Sequence, residues 1–509
     1  MSSGPPPPAR TLSLRALIAL LLAAALVAAS CADGDEGFGQ AQPTPDAPAA
    51  DESPDDDGDT DPSDAETSPA EPTPTPAPSP TPVPDPPGRA ELDPDLTLEQ
   101  GPRIAVETAD GQLFTMLGDG TNQIPLTAAS EGTVNRFPTW SSDASRLAWV
   151  TSRPGGDDPE IRSARFDGSA WIQQSTPSAP FLLSWDPTTT RIAALGPGRT
   201  GFELGVVDLA ADELDYQRVD EGSPFWFSWS PDGDEFLVHA SGVRLDIVPL
   251  EGSPQVLEPL PGAFQAPQWM QGPVPLVYAD TVDDEDFLVV AGDQGAGRRP
   301  IATYDGYLQF TVAPATGLIA LQVLDPAVAP VPETITAAFQ PDDIVDIVDP
   351  IPRDQLTLMA TFGGDPIPLH PDPRQPRSEG PAIAFVWSPD GNQLAWLIEV
   401  EAGNGCDTET AVYEWRFWTG SDIVDGPRFV PTPTFACNYV PFFDQFEQSV
   451  TFWSPDSTQI VYAGTDVATG ERGIFTHQIG SVLPPLRLAD GELGVWSPDA
   501  AGSAASSAL

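Results

Sequence analysis

The chain has 509 residues, enough for several domains or for one large repeat architecture. It holds 75 Asp and Glu against 22 basic residues, every one of them Arg, for a formal charge of −53. That balance excludes nucleic-acid binding, which needs clustered cations to neutralise phosphate, and an electrostatic grip on anionic lipid. The lack of Lys suits a GC-rich genome, and the acidity equally suits high salt, where self-repulsion is screened.

At the start of the chain, Arg10 and Arg15 precede the apolar run ALIALLLAAALVAAS (16–30), which ends in small residues before Cys31. This layout predicts a secretory signal over 1–30, too short for a spanning helix. The AAS before Cys31 resembles a bacterial lipobox, although Ala28 stands where Leu is commoner. The resemblance implies that Cys31 becomes the acylated first residue of an exported protein. Its location would be the bacterial cell membrane, facing outside or into a periplasm. Such a modification supplies more than one lipid chain, as stable anchoring requires. Cys406 and Cys437 then lie in an oxidising compartment. They form either one disulfide or two free buried thiols. A disulfide there closes a loop of about thirty residues and contributes roughly 3–4 kcal/mol in the chain-entropy model.

Residues 31–101 show no hydrophobic periodicity. The acidic run DESPDDDGDTDPSD (51–64) cannot bury enough apolar surface to offset chain entropy. PTPTPAPSPTPVPDPP (72–87) favours extended polyproline II at about 3.1 Å per residue, a spacer of roughly 50 Å. The segment therefore reads as a disordered tether.

From residue 102 to 500, short β-branched and aromatic runs alternate with Gly, Asp and Pro every eight to twelve residues, an all-β signature. The clearest unit is FWFSWSPDGDEFLVHA (225–240), nearly repeated as FVWSPDGNQLAWLI (385–398). Pro231, Asp232 and Gly233 supply turn chemistry between two strands, so the unit predicts a β-hairpin with Trp229 as a packing residue. Worn copies place Trp140, Trp185, Trp269, Trp453 and Trp496, beside Trp387 of the second clear copy. Trp140, Trp185, Trp229 and Trp269 follow one another at 45, 44 and 40 residues. A degenerate copy, YLQFTVAPATGLIALQV (307–323), has Thr311 where Trp is expected. Two longer gaps, on either side of Trp387, read as blades with surface insertions around 325–382 and 399–448.

A period of 40–45 residues with four strands each predicts a β-propeller. Three strands before the first complete unit and one after the last would share a blade and close the ring. The expected count is eight blades, or seven if the degenerate copy is not one. Residues 501–509 are left as a flexible tail.

These repeats resemble the WD40-like PD40 repeats of TolB-type propellers, whose hallmark is W-S-P-D-G followed by an apolar strand. Trp387, Asp390 and Gly391 fit it in full, and Trp229, Asp232 and Gly233 keep the turn. Asp456 keeps the Asp after Trp453, where Ser457 replaces Gly. Asp499 follows Trp496, where Ala500 replaces Gly. Ser142 and Ala144 replace Pro and Gly after Trp140. The resemblance covers about 102–500 and implies an architecture, since members serve as partner-binding platforms or as modules of hydrolases.

Catalytic signals are sparse. There is no G-x-S-x-G elbow, and no phosphate loop, since GDQGAGRRP (292–300) lacks the Lys and the helix pattern. His239, His370 and His477 lack metal-ligand spacing. The turn aspartates, Asp143 included, have a local task in bonding turn amides. The Arg298–Arg299 pair is a rare basic spot, expected to pair with neighbouring carboxylates. The expectation is a monomeric, non-enzymatic ring without cofactor or metal, binding an envelope protein or wall component. The alternatives are an extracellular hydrolase or lyase with a central-channel site, or an accessory or sensor subunit of an export system.

Overall fold

A computed structural model describes residues 88–92, 96–129, 132–153, 158–210, 215–258, 260–270, 275–324, 351–370, 380–403, 408 and 410–498. The signal, most of the tether with Cys31, Cys406, Asp499 and the tail lie outside the described residues.

The local unit is the predicted hairpin, and its turn has a repeated hydrogen-bond set. The Ser230 hydroxyl donates to Asp232 Oδ1 at 2.6 Å and accepts from the Glu235 amide at 2.9 Å. The Asp234 amide donates to the same carboxylate at 3.2 Å. Ser141 with Asp143, Ser388 with Asp390, and Ser454 with Asp456 repeat the Ser–Asp contact at 2.7, 2.6 and 2.6 Å. After Trp185 one residue does both tasks: Asp186 Oδ1 accepts from the amides of Thr190 and Arg191 at 2.8 and 2.9 Å. In Asp232, the Ser230 hydroxyl holds the carboxyl below its usual pKa, against a smaller opposing effect of burial.

The fourth position of this turn is left-handed in five copies: Gly233 at φ 77°, Gly391 at 67°, Thr189 at 62°, Ser457 at 58° and Ala144 at 57°. Gly adopts that conformation freely, whereas a β-branched side chain is strained there. Thr189→Gly is therefore expected to stabilise the fold by about 1 kcal/mol. Gly233→Ala should act in the opposite direction, because its Cβ would meet Asp186 Oδ2 at 3.0 Å. Urea midpoints of the two variants measure both effects.

Strand register fixes the repeat. Trp140 pairs with Leu147, Trp185 with Ile192, Trp229 with Phe236, Trp269 with Leu276 and Trp387 with Leu394. Each partner lies seven residues on, and Trp453 bridges Ile460 at the same spacing. In the degenerate copy it is Val312 that pairs with Ile319. The marker position there is Val312, one residue beyond the Thr311 expected from sequence. The turn around Pro314 lacks the Ser–Asp set, so a sequence alignment had nothing to fix its register.

The described residues contain seven antiparallel sheets, six of four strands and one of seven. One sheet joins the two ends of the domain: Arg103–Glu107 pairs with Leu113–Leu117 on one side and with Leu493–Trp496 on the other. In the seven-stranded sheet the middle strand Ile423–Pro431 pairs with Val412–Trp418 on one side and runs on to pair with Gln459–Asp466 on the other.

Successive sheets are tied through their Trp strands. Indole Nε1 of Trp185 donates to Thr139 O at 3.2 Å, that of Trp229 to Ser184 O at 3.3 Å, and that of Trp387 to Thr311 O at 3.2 Å. Trp453 reaches Val386 O at 3.2 Å and Trp140 reaches Val495 O at 3.4 Å. Each acceptor directly precedes the marker residue of an adjacent repeat. The Trp series is thus both inter-sheet packing and an inter-sheet hydrogen-bond relay.

Candidate functional site

Two places in the ring could carry function: its centre and a groove on the face of the Trp-strand turns. The centre is built from a break in one strand. Gln459–Asp466 receives Phe429, Val430 and Pro431 at one end and Trp453 at the other. Between those partners, residues 432–450 leave the strand and enter the channel. They form a π turn at Phe435–Tyr439, a 3-10 turn at Val440–Phe442 and one helical turn at Phe443–Phe446.

This segment fills the channel because its composition is that of a core. Phe435, Tyr439, Val440, Phe443 and Phe446 are buried. Ring contacts run from Phe443 to Phe385 at 4.4 Å and from Phe442 to Trp226 at 5.7 Å. Its polar groups bond the first strands of several sheets. Gln445 accepts from the Phe227 amide at 2.8 Å and donates to the Phe227 carbonyl at 2.9 Å, completing that backbone as a neighbouring strand would. Glu447 Oε1 accepts from the Trp387 amide at 2.6 Å. Gln268 donates to Asp444 O at 3.4 Å, and Thr139 Oγ1 donates to Ser449 O at 2.6 Å.

Asp444 is fully buried and Glu447 partly so. Burial pushes both carboxyls up to about 8, against opposing hydrogen bonds from backbone amides. Glu107, at the end of the first strand, is pushed up to about 7 by burial, with Arg136 at 3.6 Å pulling it back. Raised carboxyls destabilise the fold as pH rises, because above the unfolded value the native state retains protons that the unfolded chain has lost.

The groove has a cavity of 1220 Å³, lined among the described residues by seven carboxylate residues, Asp234, Glu235 and Glu251 among them, and by Arg191 as the one cation. Arg191 pairs with Asp234 at 2.8 Å and Asp208 at 3.8 Å. Trp269, Met270, Pro249 and Leu250 give the groove its apolar part.

The residues singled out in the sequence mostly have structural tasks. His239 is buried, stacks on Phe264 at 4.2 Å, and its Nδ1 donates to Gln265 O at 2.9 Å. Burial lowers it to about 4, so it is neutral at pH 7. His477 is buried against Phe417, and His370 donates to Gly380 O at 2.9 Å. Arg298 bridges two buried carboxylates, Glu258 and Asp280, and Arg299 donates to the carbonyls of Thr361 and Phe362 at 3.1 Å. Asp280 is pushed up to about 7 by burial and then by Glu258. Among the described residues no group of three or more His, Cys, Asp or Glu is placed to hold a metal. Cys437 is disulfide-bonded, on the channel segment.

One expectation is overturned. The described residues of 399–448 do not form a displayed surface insertion. Val412–Trp418 and Ile423–Pro431 are regular sheet strands, and from 432 onward the aromatic side chains Phe435, Tyr439, Phe443 and Phe446 are buried in the channel. The sequence held a signal that length alone hid: FACNYVPFFDQF (435–446) is apolar, whereas a surface insertion should be polar. Of the other insertion, 325–350 and 371–379 lie outside the described residues.

No family model matches the chain, and no curated protein matches it in sequence. Among solved structures it is similar to the β-propeller domain of the trilobed protease from Pyrococcus furiosus, at 13% identity and TM-score 0.38 over 71% of this chain and 97% of that one. It is also similar to TolB from Acinetobacter baumannii, at 15% identity and TM-score 0.28 over 53% and 64%. A third is an oligogalacturonate lyase in complex with manganese, at 12% identity and TM-score 0.38 over 74% and 81%. The fold is a β-propeller. In this propeller the channel is taken by a segment of the chain itself, and the acidic groove is an open concave surface.

Proposed function

We propose that the chain is a lipid-anchored envelope protein. It displays an eight-bladed, non-catalytic propeller on an acidic and proline-rich tether, as a platform for another protein or a wall component. In this reading the seven-stranded sheet counts as two blades, Cys31 carries the lipid, and Cys406 is the disulfide partner of Cys437.

The observation that carries the reading is the occupied channel. A propeller hydrolase or lyase with a central site needs space there for substrate, and residues 432–450 take that space with buried aromatic side chains. Recognition then falls to the faces and rim, where loops of several blades converge on rigid sheets. The groove beside Trp269 offers apolar contact inside an anionic frame, which suits a partner presenting Lys or Arg.

The test is capture from native envelope extract with the full chain, against a variant carrying D234N, E235Q and E251Q. We expect a partner retained by the wild type, released as salt rises, and lost by the variant. A partner held equally by both would remove the groove from the proposal. Recovery of a whole membrane transport complex would favour the export-subunit alternative. Peptide mapping under non-reducing conditions should recover Cys406 and Cys437 in one linked species and a lipid on Cys31.

A further inference from the structure

The acidic groove holds one polar group that the fold leaves unused. The indole N–H groups of Trp140, Trp185, Trp229, Trp387 and Trp453 each donate to a carbonyl of an adjacent repeat. Trp269 breaks that series. Where the relay would give it Ser228 O, the Ser228 hydroxyl meets it instead, accepting from the Trp269 backbone amide at 2.9 Å. The indole itself makes no hydrogen bond to any described residue. Nor is its nitrogen sealed in the core, as those of Trp226, Trp415 and Trp496 are. Trp269 is 8% exposed and lines the groove, so its unpartnered N–H is aimed into that space.

The carboxylates of the groove fall into two sets. Four are answered by the chain: Arg191 pairs with Asp208 and Asp234, Gln294 donates to Glu235 at 2.7 Å, and the Ser230 hydroxyl donates to Asp232. Asp215, Glu251 and Asp293 are exposed and form no ion pair with any described residue. They stand on three successive sheets, each beside or between the last two strands of its sheet. An occupant that meets all three must be long, and the 1220 Å³ cavity exceeds the roughly 300–1,000 Å³ of small-ligand sites.

We propose that the groove takes an extended basic peptide segment of the partner protein. Its Lys or Arg side chains meet Asp215, Glu251 and Asp293, one backbone carbonyl accepts the Trp269 N–H, and an apolar side chain lies against Met270 and Leu250. A polyamine or a metal cation answers the carboxylates but brings no acceptor to the indole. A folded basic surface has its carbonyls bonded internally, whereas an extended segment carries a free one at every residue. The inference rests on the platform reading above and narrows its partner to a peptide.

The probe is a pool of blocked peptides of about ten residues, roughly 33 Å when extended, each with several Lys or Arg and one Leu or Phe. It is presented to the immobilised full chain, beside a matched pool with Asp and Glu as the charged residues, and spermine. Enrichment is expected from the basic pool alone. In the ¹⁵N-Trp-labelled chain, the indole signal that Trp269→Phe removes should move downfield with an enriched peptide and not with spermine. W269F keeps an aromatic ring and loses the donor, so it should bind that peptide about threefold to tenfold more weakly. The variant D215N, E251Q and D293N should bind it more weakly and with a flatter salt dependence. No enrichment from the basic pool would overturn the proposal, as would an enriched peptide that leaves the indole signal in place and binds W269F equally. Should W269F fail to fold, the three-site carboxylate variant decides, and equal binding to it sinks the idea. Envelope capture that still depends on Asp234, Glu235 and Glu251 would then leave the platform standing without its peptide. Loss of capture by the wild type would remove the platform itself.

Discussion

Trp453→Ala is expected to destabilise the propeller by about 3–5 kcal/mol, the largest effect of any single truncation on the Trp strands. Trp453 is completely buried, packs its ring edge-on against Phe417 at 6.1 Å, and donates its indole N–H to Val386 O in the first strand of the seven-stranded sheet. Alanine removes the ring and the donor together. It also does so where the first strand is already interrupted by the channel segment, so little regular pairing is left to compensate. Trp453→Phe separates the two parts: it keeps most of the packing and loses the hydrogen bond, for about 1–2 kcal/mol. Trp496→Phe is the comparison, because the Trp496 indole nitrogen is buried without a hydrogen-bond partner among the described residues. Denaturant midpoints of the three variants should rank with the alanine lowest and W496F least affected among the Trp→Phe pair. A W453F as damaging as W453A would mean that the relay, not ring packing, holds the sheets together.

Gln445→Ala should cost about 2–4 kcal/mol. The Gln445 amide satisfies both the N–H and the C=O of Phe227, which lie in a buried strand. Truncation leaves two buried backbone groups without partners, and that penalty exceeds the worth of the bonds themselves. Gln445→Glu is the informative companion. Its ionised form would set a carboxylate oxygen against the Phe227 carbonyl, whereas its protonated form restores a donor. The Glu variant should therefore recover stability as pH falls, while the Ala variant should not. Thermal midpoints at two pH values test this. Parallel pH responses of the two would show that Gln445 acts through volume alone.

The limits of the sequence reading follow from particular residues. The turns were legible because Ser230, Asp232 and Gly233 satisfy one another within six residues, so their geometry needs no distant partner. The marker of the degenerate copy was off by one residue because Ala313 and Ala315 carry no such bonds, and only pairing of Val312 with Ile319 sets the register. The sequence led to the expectation that Arg298 pairs with carboxylates, but not to which ones. Its partners Glu258 and Asp280 arrive from other strands, forty and eighteen residues away.

By itself the sequence determined the β-propeller, its four-stranded sheets and the pairing of its two ends, because a period near 43 residues and a self-contained turn are local properties written many times. Only the tertiary structure decided what stands at the centre. Residues 432–450 have no repeat to align with, and their place depends on bonds to Phe227, Gln268, Trp387 and Thr139, which span 60 to 310 residues along the chain. The raised titration of Asp444 depends on the same closure, since burial by the surrounding strands is its largest cause.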